Sequence, residues 1–189
     1  MTTTEKASSR ERLLDAAADL FYRDGVSIGV EALCRAAGVS KRSMYQLFGS
    51  KDDVVAASLD RRAPVYEAML LPDRDDTRSP RERILHVFEQ LEAAAASPEY
   101  RGCPYVATAM EVKDPAHPAS RAARRHKDVL TSFFRLEAAH GGASDPETLA
   151  RQLTVVFDGS GARAVVQAQP LDGLAVTTAA ALLDAGGVG

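Results

Sequence analysis

Apolar positions recur at helical spacing along almost the whole of this chain. Leu13, Ala17, Leu20 and Phe21 follow the pattern of an amphipathic helix, which the spacing predicts from Ser9 to Arg23. Asp24-Gly25 stops it, because glycine readily takes the left-handed conformation found at helix C-termini. A short helix from Val30 to Ala37 is closed by Gly38, and Ser40 caps a third from Lys41 to Phe48. A fourth begins at Ser50 or Lys51 and runs toward Leu70, with Pro64 expected to kink it.

Pro72 to Arg78 reads as a charged linker. After it, Ser79-Pro80-Arg81-Glu82 combines a capping box with proline at the first helical position, and that helix should reach about Ala96. Shorter and longer helices follow over Cys103–Lys113, Ala119–Ala139, Asp145–Gln169 and Leu171–Ala185, separated by Asp114-Pro115, Gly141-Gly142 and similar breakers. Val54-Val55, Val155-Val156 and Val165-Val166 lie inside helical patterns, and nothing alternates long enough for a strand. The expected fold class is therefore all-α, with about nine helices in two regions, 1–50 and 51–189.

Two short helices joined by a tight turn, Val30–Ala37 and Lys41–Phe48 through Gly38-Val39-Ser40, outline a helix-turn-helix. Leu33, Val39, Met44 and Phe48 would bury with Leu20 and Phe21. Lys41, Arg42, Ser43, Tyr45 and Gln46 occupy the first turns of the second helix, where a recognition helix meets phosphates and base edges.

Charge tests this reading. The 189 residues carry a formal −3, which taken alone speaks against a nucleic-acid footprint. Yet residues 32–51 hold Arg35, Lys41, Arg42 and Lys51 and no acid, a local +4, whereas residues 51–189 sum to −4. A small basic head on an acidic body is the better description.

The remaining composition narrows the classes. No stretch approaches a membrane span of about 18 apolar residues, and Met1 to Arg12 lacks the apolar core of a signal peptide. Cys34 and Cys103 stand far apart, so neither a disulfide framework nor a thiolate metal site is expected. His86, His117, His126 and His140 are scattered, which predicts no metal and no cofactor. A cytoplasmic protein is the natural expectation.

At this point the chain resembles a known family. Gly38-Val39-Ser40-Lys41-Arg42-Ser43-Met44-Tyr45-Gln46-Leu47-Phe48-Gly49-Ser50-Lys51-Asp52 is similar to the signature of TetR-family transcriptional repressors, with Ala36-Ala37 and Asp24-Gly25 in step. Arg101-Gly102-Cys103-Pro104-Tyr105, followed by Glu111 and Asp114-Pro115, is similar to the sensor domain of one subgroup. The resemblance implies phosphate contacts by Tyr45 and Lys51, and groove-facing roles for Lys41, Arg42, Ser43 and Gln46. Ser40 would act as a cap first. Where many relatives place Thr or Ser at the start of the second helix, this chain has Ile28-Gly29, so Ser27 becomes the candidate contact.

The resemblance further implies a homodimer through the last two helices, reading a palindromic duplex operator, and a sensor holding a small-molecule effector. Leu149, Leu153, Phe157, Ala164 and Ala168, with Ala175, Ala179 and Leu182, form apolar faces suited to that four-helix seam. Gly159-Ser160-Gly161 would permit close backbone approach. Phe88, Leu91, Tyr105, Met110, Phe133, Phe134 and Phe157 are the candidate pocket lining, which favours a hydrophobic or amphipathic effector, with Glu111 and Arg163 as candidate polar anchors.

Two competitors remain: a DNA-binding regulator governed by a protein partner or by no effector, and a helical enzyme. The second finds no Ser/His/acid or Cys/His motif and no glycine-rich phosphate loop, so no enzyme is expected. His86, Glu89 and Glu92 share a helix face that reads as a wet one. Cys103 would sense thiol chemistry only if exposed and acidified.

Overall fold

The computed structural model describes residues 7–73 and 75–189; Met1–Lys6 of the polar start and Arg74 of the linker lie outside them. Among the described residues the chain forms helices α1 (Ser9–Asp24), α2 (Val30–Ala37), α3 (Lys41–Leu47), α4 (Lys51–Leu70) and α5 (Pro80–Ala95), then α6 (Pro104–Val112), α7 (Pro118–His140), α8 (Pro146–Gln167) and α9 (Leu174–Gly186). The fold is all-α, and the sequence places most boundaries within a residue or two.

Local chemistry sets the helix starts. Ser8 and Glu11 form a reciprocal capping box on α1, and Ser79 and Glu82 form another on α5 ahead of Pro80. Asp145 accepts the Thr148 N–H to open α8. Helix α4 runs unbroken through Pro64, which can donate nothing to the carbonyl of Asp60. Helix α9 begins at Leu174, not at Leu171, because Asp172 and Gly173 both adopt positive φ and form the turn before it.

The contacts group the chain into two compact units. The first comprises residues up to Ala63 together with Ala107–Arg124. In it α1, α2 and α3 pack on one another, with Leu13, Ala17, Leu33, Met44 and Val54 fully buried. Arg61 and Arg62 of α4 pair with Asp15 and Asp19 of α1, both at 3.0 Å. These pairs are exposed and contribute little to stability.

The second unit comprises Pro64–Val106 and Arg125–Gly189, with α5, α8 and α9 packed together. Its centre is aromatic: Phe88 stacks on Phe134 at 5.6 Å between centroids and meets Phe157 edge-on at 6.2 Å. Leu91, Leu153 and Leu183 close around them. The Glu92 carboxylate accepts the N–H groups of Gly173, Ala175 and Val176 at 2.7, 2.8 and 3.1 Å, so this residue of the supposed wet face is the N-terminal cap of α9.

One expectation needs correcting. Leu149, Leu153, Phe157, Ala164, Ala175 and Ala179, read as a seam between subunits, are buried in the core of their own unit. Burial in either setting demands the same helical periodicity, which is why the pattern alone does not separate them. The outward faces of these helices are instead Val155, Gly159, Ala162 and Val166 on α8, and Leu174, Thr178, Ala181 and Ala185 on α9.

Candidate nucleic-acid interface

The α2–α3 turn is built around Gly38, whose φ of 62° is left-handed and costs a residue without a side chain nothing. There the Gly38 N–H bonds the Arg35 carbonyl and the Val39 N–H bonds that of Cys34, closing α2 as expected from the sequence. Ser40 then caps α3, its Oγ accepting the Ser43 N–H at 3.0 Å. The two hydroxyls also share a 2.8 Å hydrogen bond, which commits Ser43 to the cap. Met44 and Phe48 are buried and hold α3 from beneath, with the Arg10 guanidinium 5.1 Å from the Phe48 ring centroid.

Anchored on that side, α3 turns Lys41, Arg42, Tyr45 and Gln46 to solvent; Tyr45 is 52% exposed. A large aromatic that exposed on a surface helix, flanked by donors, suits contact with a phosphate backbone. Lys51 is half-buried in the first turn of α4, beneath the Ser50 cap, whose Oγ accepts the Asp53 N–H. Ser27 is exposed ahead of α2. All eight candidate DNA contacts therefore belong to the same compact unit.

Two residues of this unit, Glu31 and His117, carry no role in the sequence alone, and a third, Glu111, carries a different one. Glu31, in the first turn of α2, accepts from the Lys41 ammonium at 2.5 Å. That hydrogen bond holds the Glu31 carboxyl below its ordinary range and raises Lys41. Glu111, a candidate ligand anchor on sequence, accepts the Val26 and Ser27 N–H groups, each at 2.9 Å, and so fastens the α1–α2 turn. His117 accepts the Ala119 N–H at Nδ1 and sets Nε2 3.2 Å from Asp52, beside Lys51. Glu31 falls one residue outside the +4 window, and the other pairings span too much sequence for periodicity to reveal.

The candidate ligand residues divide. Phe88, Leu91, Phe134 and Phe157 fill the core against one another. Tyr105 lines a small cavity with Tyr66, Glu67, Leu70, Leu71, Cys103, His126, Lys127, Val129 and Leu130. There Tyr105 meets Tyr66 edge-on at 5.4 Å and stacks with His126 at 4.9 Å. Burial, and next the neighbouring Cys103 thiol, push the Tyr66 phenol far above its ordinary range. The cavity measures about 20 Å³, room for about one water. Phe133 lines a separate open groove of about 560 Å³ with Leu71, Pro72, Val129 and Leu136. Met110 is 70% exposed and belongs to the first unit. Cys103 is buried. Among the described residues no three His, Cys, Asp or Glu side chains converge to hold a metal, and no helix is long and apolar enough to cross a membrane.

Comparison with known proteins converges on one group. The pattern of the family described as bacterial regulatory proteins, tetR family, matches residues 13–58. A Streptomyces avermitilis protein assigned to the TetR transcriptional regulators has a solved structure 61% identical to this chain. The match covers 97% of this chain and all of that one, with a TM-score of 0.94. SCO4454, a TetR-family transcriptional regulator of Streptomyces coelicolor, is 25% identical over 95% of this chain and 96% of its own, with a TM-score of 0.84. The HTH-type transcriptional regulator YjdC of Escherichia coli is 24% identical over 60% of this chain, and the match spans 59% of its own length.

Proposed function

This chain belongs to the TetR family of bacterial regulatory proteins, and from that membership we propose that it is a ligand-responsive transcriptional repressor working in the cytoplasm. Residues 1–50 would supply the DNA-binding head and 51–189 the sensing and dimerising body. The observation that carries the reading is α3: a capped helix held by Met44 and Phe48 that turns Arg42, Tyr45 and Gln46 to solvent. Arg42 and Gln46 have the donor geometry to read guanine and adenine, while Tyr45, Lys51 and Ser27 would position the backbone.

A palindromic operator requires two heads one helical turn of duplex apart, hence a homodimer. The exposed stripe Val155, Gly159, Ala162 and Val166 on α8, beside Leu174, Ala181 and Ala185 on α9, supports an isologous seam through these two helices. The effector would be hydrophobic or amphipathic and enter the Tyr66–Tyr105–His126 region, whose lining is mainly apolar. It would lower operator affinity by binding the two states of the dimer unequally.

The test is fluorescence anisotropy against an operator selected from a random duplex library. Tyr45→Ala and Lys51→Ala should each weaken binding to operator and random duplex alike, by roughly tenfold, the loss of one charge-assisted phosphate contact. Parental affinity in both variants would sink the assignment. A second reading, control by a protein partner or by no effector, is favoured by the 20 Å³ cavity, which admits no drug-sized ligand unless its walls move. Thermal-shift screening with hydrophobic compounds separates the two, since an effector stabilises the state it binds.

A further inference from the structure

The first residue of the recognition helix is not presented to DNA as a free cation. Lys41 Nζ lies 2.5 Å from Glu31 Oε1, reaching back from the start of α3 to the first turn of α2. Both side chains are largely exposed, and an exposed pair of this kind adds little to folding, so stability does not explain the arrangement. In helix-turn-helix docking the first helix crosses the phosphate backbone while the second lies in the major groove. A lysine drawn toward the start of α2 is therefore drawn to the level of the phosphates. The carboxylate that holds it there also opposes the polyanion.

We propose that Glu31 is a positioning residue for DNA recognition: it withholds Lys41 from the groove, restrains non-specific attraction, and leaves sequence reading to Arg42 and Gln46. The head makes such restraint effective, because residues 32–51 carry only +4 and one neutralised cation is a large share of it. Non-specific binding is almost wholly electrostatic, whereas specific binding adds base contacts, so the restraint raises the ratio between them. Ser43, tied to the Ser40 hydroxyl, is already withdrawn from the same surface.

The proposal rests on the DNA-binding reading, and one titration distinguishes the two. A parent protein that binds neither the selected operator nor a random-sequence duplex overturns that reading before Glu31 is touched. With a binding parent, Glu31→Gln should tighten random-duplex binding roughly 3–10-fold at about 50 mM salt and steepen the log–log salt dependence by about 0.9. Operator affinity should change less, so discrimination falls. Glu31→Ala, a second neutralising variant, should behave alike.

The decisive comparison repeats Glu31→Gln in a Lys41→Ala background, where both the affinity gain and the steeper salt dependence should vanish. Equal effects with and without Lys41 would make Glu31 a bare repulsive charge and overturn the proposal. So would an unchanged salt dependence in either neutralising variant.

Discussion

The Glu111 carboxylate accepts the backbone N–H of Ser27 at 2.9 Å, across more than eighty residues of sequence, and takes the Val26 N–H with its other oxygen. A side chain from α6 thus sets the turn that aims α2. Gly25 lies under the same carboxylate at φ 84°, and a Cβ there would stand 2.8 Å from Glu111 Oε2. Glu111→Ala should lower stability by about 1 kcal/mol, and Gly25→Ala by about 1–3 kcal/mol from backbone strain. Both should also weaken operator binding. Chemical denaturation and anisotropy measure the two effects separately, and unaltered DNA binding in Glu111→Ala would exclude a role for this contact in aiming the head.

Phe134 is fully buried between Phe88 and Phe133. Phe134→Ala should cost about 3–5 kcal/mol, a fall in Tm of roughly 6–20 °C. It should do so equally with and without any effector found in screening. A variant that keeps its Tm but loses its response to ligand would return Phe134 to the pocket lining.

The outward stripe of α8 offers a separate test of assembly. Val155 and Val166 are 71% and 77% exposed, and a Cβ added at Gly159 meets nothing within 4 Å. Val155→Glu and Gly159→Leu should halve the mass seen by light scattering while leaving far-UV circular dichroism unchanged, because only the proposed seam is touched. Dimers that persist in both variants would move the seam elsewhere.

Acid should loosen the helix starts. The Ser79 hydroxyl, and after it the Ser79 N–H, hold the Glu82 carboxyl below its ordinary range, and Ser8 does the same for Glu11. A depressed carboxylate contributes its stability above the unfolded value, about pH 4.3, and loses it as pH falls through the folded one. Glu82→Gln should therefore flatten the fall of Tm below that pH and leave the neutral region little changed. Ser79→Ala should cost about 1 kcal/mol, roughly 2–4 °C, at neutral pH. An acid limb that keeps its slope in Glu82→Gln would assign it to other groups.

Much of this was readable in the sequence for identifiable reasons. Ser79, Pro80 and Glu82 act within a few residues of one another, and so do Gly38 and Ser40, so local chemistry alone placed α5 and the helix-turn-helix. What depended on distance did not emerge. Glu92 looked like a solvated residue because its three partners lie more than eighty positions on. Phe88, Phe134 and Phe157 satisfied the pattern of a pocket lining because a core and a pocket ask for the same apolar residues. Lys41 looked unpaired because Glu31 sits on the other helix of the motif.

The unit that carries α3 is not a continuous stretch of chain: Ala107–Arg124 joins it with Glu111 and His117. A fragment ending at residue 63 would keep every candidate DNA contact and lose both clasps, on the α1–α2 turn and on Asp52. Grafting this reading head onto another sensor thus calls for three splice points, after Ala63 and at both ends of Ala107–Arg124, or a replacement for the returning segment.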